Sequence, residues 1–228
     1  MKKCAILQSN YIPWKGVFDM MNKIDIFVFF EDVQFTRRDW RTRNKIKTSQ
    51  GSSWLTIPVK KSSRDNTLVY EVEISEFENW QEKHYKTIVS NYSKAPFFND
   101  FKYLLNEIYL AKKWINLSEF NIFTSKLLAN TLNINVEFIN SKDLKTEGVK
   151  DDKLIKICQK IGANHYLSGP SAKNYIDNQK FDLAGIKLEY MNYNYPDYQQ
   201  LHGEFDHYVS VLDVLFNCGP SSNQKIFT

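Results

Sequence analysis

Between Phe35 and Thr48 the chain reads FTRRDWRTRNKIKT, which sets Arg37, Arg38, Arg41, Arg43, Lys45 and Lys47 against one acid, Asp39. The whole chain carries a formal charge of only +4, so the remainder is slightly acidic and the positive charge is local. Cations packed this closely repel one another unless an anion lies among them. Guanidinium and ammonium groups beside an amide suit phosphate, which makes Arg38, Arg43, Asn44 and Lys45 the candidate phosphate ligands. The run follows Glu31, Asp32 and Gln34 at the end of an apolar segment. A carboxylate placed there is either a general base oriented by arginine or an ion-pair partner that spaces the arginines; Asp32 is the preferred base and Gln34 a substrate contact.

A second polar stretch supplies Gln8, Asn10, Tyr11, Trp14 and Gly16, where a first strand turns into a first helix. Free amides at a helix start attract anions, Tyr11 and Trp14 can wall a pocket, and Gln8 and Asn10 can contact a substrate. The alternative for the rings is that they cap the core. His202, in YPDYQQLHGEF, is the histidine best placed to line a cleft and act as a base, oriented by Asp197 or Glu204; otherwise it hydrogen-bonds a loop carbonyl. Ser168 opens a third strand-to-helix turn and is a further substrate contact, without the G-x-S-x-G setting of a nucleophile. Ser210-x-x-Asp213 is a capping-box pattern, and His84 shares a helix face with Trp80 and Ile88, which predicts packing.

These residues need a scaffold. Continuous apolar runs at Cys4 to Leu7 and Ile26 to Phe30 predict strands covered on both faces, with a short helix over Gly16 to Asn22 between them. SWLTIPV (Ser53 to Val59) and VYEVEI (Val69 to Ile74) are further strand candidates, the second half exposed. From Phe77 to Asn133 the spacing turns helical: three helices, the first two parted by Pro96 and the third entered through Asn116-Leu117-Ser118-Glu119. Strands at Ile134 to Ile139, His165 to Leu167 and Lys187 to Tyr193 then alternate with helices, one started by Asp151-Asp152 and ended by Gly162, the last near Tyr208 to Phe216. The expectation is an α/β fold: an open, mostly parallel, Rossmann-like sheet from residues 1–76 and 134–228. A helical insertion, 77–133, joins it without a flexible linker.

Composition narrows the field. Hydrophobic residues at 43% and aromatics at 15% are enough to bury a sizeable core. The longest apolar runs are broken by Asp25 and Asp213 and fall far short of the roughly 20 residues of a membrane span, so no membrane insertion is expected. MKKCAILQSN is too short for a secretory core and reads as a strand. Three cysteines in buried-looking segments fit free thiols and a cytoplasmic location. The four histidines lack zinc spacing, and no metal is expected. A compact basic patch on an otherwise acidic chain argues against nucleic acid, which prefers an extended positive face.

Taken together, LQSNYIPWKGVFD, FEDVQFTRRDWRTRNKIKT, WLTIPV, NHYLSGPSAKNYI, YPDYQQLHGEF and SVLDVLFNCG resemble the motifs of the WbqC-like family over nearly the whole chain. That family is associated with O-antigen and surface-polysaccharide biosynthesis in bacteria. Its first motif begins His-Gln-Pro where this chain has Leu7-Gln8-Ser9, so no role of that histidine carries over. The resemblance implies a transferase that moves an acyl or aminoacyl group onto a nucleotide-linked amino sugar. Such an enzyme holds no permanent cofactor; its donor would be acyl-CoA or the phosphopantetheine of an acyl carrier protein. The alternatives are a non-catalytic binding module for a polysaccharide-assembly partner and a nucleotidyl or adenylyl transferase. The latter is weakened because Val17, not a histidine, follows Gly16.

Overall fold

A computed structural model describes residues 1–60 and 66–227. The two apolar runs are β1 (Lys3–Leu7) and β2 (Ile26–Phe29), joined by α1 (Lys15–Asn22). Alternation along each strand divides its side chains between two cores. Cys4, Ile6, Ile26 and Val28 point into the smaller core; Ala5, Phe27 and Phe29 point into the larger one. Both faces are therefore covered, which is why neither strand shows a polar stripe.

Five parallel strands make the sheet, in the order β5-β2-β1-β6-β7, where β5 is Glu137–Asn140, β6 His165–Ser168 and β7 Lys187–Tyr190. The chain runs outward from β1 to β2 and β5 on one side, then returns to lay β6 and β7 on the other. The order reverses between β1 and β6, and it is at such a crevice that open α/β sheets bind ligands. The α/β architecture with an open parallel sheet and helices in mid-chain agrees with the sequence pattern.

Part of the basic run is regular structure. Arg43–Thr48 is a strand, β3, paired antiparallel with β4 (Gly51–Thr56) in a separate hairpin. Thr48 and Gly51 close the turn, and Gly51 takes a φ of 93° that favours glycine. Val69–Glu71 is a single 3-10 turn; among the described residues isolated bridges, Val59 to Ile74 and Glu73 to Asn116, are what remains of the expected strand there. Charged residues in VYEVEI alternate like an edge strand, but among the described residues no neighbouring strand pairs with it.

The middle helices are α2 (Trp80–Tyr92), α3 (Phe98–Tyr109) and α4 (Leu117–Thr131). Asn116 caps α4 by accepting the Glu119 amide at 3.0 Å. Four shorter or later helices follow: α5 (Ser141–Leu144), α6 (Lys150–Lys160), α7 (Asn178–Leu183) and α8 (Val211–Cys218), before a last turn, α9 (Asn223–Ile226). Helices α6 and α7 cover the smaller core, whereas α1, α2, α3, α4 and α8 cover the larger. Cys4 and Cys158 are free, buried and 3.6 Å apart at sulfur, while Cys218 is free and half-buried. Among the described residues no helix is long and apolar enough to cross a membrane.

His84 sits inside the larger core, with Nδ1 2.7 Å from the Tyr11 hydroxyl, which is itself 2.6 Å from the Tyr109 hydroxyl. Burial first, and Lys83 second, push its pKa down from 6.5 to about 4. The unfolded chain therefore takes up this proton more readily than the folded one. Its stabilising effect is complete above about pH 6.5 and is lost as the pH falls toward 4, on the order of 3 kcal/mol for the full shift. Urea-unfolding midpoints measured from pH 7 to pH 4.5 will fall more steeply for the native chain than for His84→Asn. Parallel profiles would assign the acid sensitivity to other groups.

Candidate functional site

A cavity of about 590 Å³ opens at the carboxyl ends of β1 and β6. Its floor is Leu7, Leu167 and Ser168; its walls are Trp14, Trp40, Tyr175, Tyr193 and Tyr208; Asn10, Asn44 and Ser171 provide further polar groups. Among the described residues no Asp, Glu, Lys, Arg or His lines it. Such a lining suits a neutral, hydroxyl-bearing or flat moiety: amides and hydroxyls orient it while rings cover its apolar faces.

The loop after β1 gives the cavity its shape, and buried polar groups hold that loop. Glu31, fully buried at the end of β2, accepts from the Ser9 amide at 2.8 Å, from the Ser9 hydroxyl at 3.0 Å, and from Ser118 of α4. Burial raises its pKa, and the hydrogen bonds from Ser118 and Ser9 act against that rise. Asn44 Nδ2 donates to the carbonyls of Tyr11 and Ile12 at 3.2 and 2.8 Å, beside the positive φ of 32° at Ile12. The Tyr11 amide donates to the Trp40 carbonyl at 2.9 Å, so the loop and the basic run are sewn together.

Trp14 forms one wall through a close approach. A β-carbon on Gly16 would overlap the Trp14 indole, so the ring lies against the glycine that opens α1. Tyr193, Tyr208 and Tyr195 surround the same ring at centroid separations of 4.9, 5.9 and 6.0 Å. These tyrosines belong to residues 191–210, which form no helix or strand apart from the bridge of Ser210 to Trp14.

Two buried charged residues fasten that segment. Lys15 is 2% exposed and lies 5.0 to 5.5 Å from the ring centroids of Tyr195, Tyr198 and Phe205. Its Nζ is 3.1 Å from His207 Nδ1, and His207 Nε2 is 3.1 Å from Asp197. An ammonium at Lys15 donating to Nδ1 leaves Nε2–H to donate to Asp197, so all three polar groups are satisfied at once. Burial lowers the Lys15 pKa to about 8, and burial together with Lys15 lowers that of His207. The second fastening is Asp213 on α8, which accepts from Tyr198 at 2.7 Å, Gln200 at 2.8 Å and Tyr92 at 2.8 Å. Ser210 does cap α8, accepting from Leu212, but the Asp213 carboxylate turns to these three donors instead of completing a capping box.

The candidate residues read from the sequence part company here. Asn10, Trp14, Asn44 and Ser168 all line the cavity. Gln8 is half-buried after β1 and outside the lining, and Tyr11 points into the larger core toward His84 and Tyr109. Asp32 is paired with Lys153 of α6 at 2.7 Å and receives Ser141; it does not face the cavity. The carboxylate near an arginine is Glu31, next to Arg41, which also pairs with Asp39 at 2.9 Å. Gln34 is exposed and bridges to Leu68, and Arg38 is exposed with a φ of 57°. Arg43 and Lys45 stand over the Trp54 ring on the outward face of the hairpin. His202 Nε2–H donates to the Asn91 carbonyl at 2.8 Å, a carbonyl in the last turn of α2 and not in a loop, in a separate polar cleft with Lys47 and Asp206.

Lys15, Trp40, Tyr193, His207 and Tyr208 were not singled out as site residues by sequence reasoning. The density of tyrosines in 190–208 was the available signal, but Lys15 meets His207 across 192 positions of chain, beyond the reach of any local pattern.

An open α/β sheet with an aromatic-walled crevice at its switch point defines the class of protein. The chain belongs to the WbqC-like protein family, whose sequence pattern matches residues 8–225. It is similar to the uncharacterized protein Rv1507c of Mycobacterium tuberculosis, 41% identical over 220 residues that cover 96% of this chain and 95% of that protein. No solved structure matches it.

Gly16→Ala will force the Trp14 indole off the helix and into the cavity. The expected result is a loss of about 1–3 kcal/mol in unfolding free energy and a changed near-ultraviolet circular dichroism band. A variant indistinguishable from the native chain in both would mean that the glycine does not set the ring.

Proposed function

We propose that the protein is a transferase of cell-surface glycan synthesis that moves an acyl or aminoacyl group onto the amine of a nucleotide-linked sugar. The observation that carries this reading is the uncharged, aromatic-walled cavity at the reversal point of the sheet. A sugar ring presents hydroxyls on its edges and C–H groups on its faces, which fits Asn10, Asn44 and Ser168 for the former and Trp14, Tyr193 and Tyr208 for the latter. Family membership supports the same substrate class.

The step itself is a thioester aminolysis. The amine nitrogen attacks the carbonyl carbon of acyl-CoA or of a carrier-bound thioester, the C–N bond forms as the C–S bond breaks, and the amine proton leaves with the thiol. Amides in the turn that follows Ser168 are candidate donors to the developing oxyanion. Asp32 and His202, the proton acceptors suggested by sequence, are held by other partners away from the cavity, so the departing thiolate takes the amine proton. Positioning of the amine against the thioester then has to supply most of the rate.

A second reading, a binding module for a glycan-assembly partner, draws on the same lack of charged side chains among the described residues of the lining. Titration with nucleotide-linked amino sugars, followed by addition of acyl-CoA or a charged carrier protein, separates the two. Binding at a hundredfold excess over Kd will stabilise the fold by about 2.7 kcal/mol. Trp14→Ala and Asn44→Ala will weaken that binding, and mass spectrometry will detect the acylated sugar. Binding without product would select the module; failure of every nucleotide-sugar to stabilise the protein would remove the transferase reading.

A further inference from the structure

The outward face of the β3–β4 hairpin carries charge beside bare aromatic surface, the combination that the cavity lacks. Side chains alternate along the hairpin, so Asn44, Ile46 and Leu55 are buried while Arg43, Lys45 and Trp54 stand on the opposite face. Lys45 pairs directly across from Trp54. The Arg43 guanidinium carbon lies 4.4 Å and Lys45 Nζ 5.4 Å from the Trp54 ring centroid. Trp40 approaches the same ring at 5.4 Å with a 43° tilt, and the two indoles are 45% and 41% exposed.

Charge on this face is only partly compensated: Asp206 attracts Lys45 through space without forming an ion pair with it. Asp39, the acid of the basic run, is engaged by Arg41 at 2.9 Å. Among the described residues no ion pair joins Arg37, Arg38, Arg43 or Lys45 to a carboxylate. Two half-exposed rings beside two cations match one flat π-system bearing phosphates. Pyrophosphate by itself would use the cations and leave the indoles in water. A nucleic-acid strand would extend past a patch that offers two rings. Trp40 is common to both places, since it also walls the cavity at the switch point.

We propose that Trp40, Trp54, Arg43 and Lys45 form a nucleoside-diphosphate subsite, with the base stacked on the indoles and the phosphates on Arg43 and Lys45. The attached sugar then passes over Trp40 into the cavity, which rests on the reading of that cavity as the sugar pocket. The subsite explains why an enzyme for a charged substrate can keep an uncharged pocket.

The test is tryptophan-fluorescence and calorimetric titration with uridine, thymidine and guanosine diphosphates, the parent nucleosides, inorganic pyrophosphate and a single-stranded oligothymidine. A nucleoside diphosphate is expected to bind more tightly than its nucleoside or pyrophosphate. Trp54→Ala, at an exposed position, is expected to weaken it about tenfold and Arg43→Ala comparably, with Tyr103→Ala on α3 as an unaffected control. Pyrophosphate matching the nucleoside diphosphate, with Trp54→Ala silent, would overturn the subsite; so would an oligonucleotide that binds far more tightly than any mononucleotide. If nucleotide-sugars bind and Trp54→Ala leaves them untouched, the subsite fails and the sugar pocket survives. If Trp54→Ala weakens nucleoside diphosphates and an added sugar contributes nothing, the subsite stands and the pocket reading fails.

Discussion

Residues 8–14 cross the end of the sheet without belonging to a strand or helix, and their buried amides and carbonyls require partners from other parts of the chain. Glu31, Asn44, the Trp40 carbonyl and Val211 on α8 meet that requirement, the last by donating to the Pro13 carbonyl at 2.9 Å. Each partner comes from a different element, so the loop can adopt its shape only once β2, the hairpin and α8 are in place. A carboxylate buried at Glu31 is costly to desolvate, and its hydrogen bonds from Ser9 and Ser118 offset the cost. Removing one donor would leave charge stranded in the core.

The opposite wall of the cavity is held by different physics. Residues 191–210 present aromatic rings without regular backbone pairing, and their fixation comes from two charges taken out of water. Lys15 is solvated by ring faces and one imidazole; Asp213 is solvated by two phenols and an amide. Tyr195 adds a hydrogen bond of 3.0 Å to Asp19, itself on α1. Cation-to-ring attraction strengthens where water is excluded, so a buried lysine can anchor a segment that offers few backbone partners.

Charge and shape are thus kept on separate surfaces. The cavity interior has rings, amides and hydroxyls, and the cations lie outside on a hairpin whose inner face is Ile46 and Leu55. Side-chain alternation makes this separation automatic: the residue between two cations, Asn44, must point the other way, and it is Asn44 that both lines the cavity and holds the β1 loop. One strand of six residues therefore serves both surfaces.

Local sequence determined the elements whose signals are local. Apolar runs marked β1 and β2, the polar stretch Asn116 to Glu119 marked the approach to α4, and the alternation of strands with helices marked the open α/β sheet, because backbone preference and side-chain period act over a few residues. The basic run was visible as charge but not as a strand, since its partner β4 carries the pairing information and alternating cations give no apolar period. Asn10, Trp14, Asn44 and Ser168 could be picked from loops that follow strands or enter them. Tyr11 could not be told from a wall residue, because the pull of His84 and Tyr109 comes from helices far along the chain. The order of the strands, the switch point between β1 and β6, and the meeting of Lys15 with His207 belong to tertiary structure alone. They arise from contacts between segments whose separation in sequence carries no local energy, and only the packed core brings those segments within range.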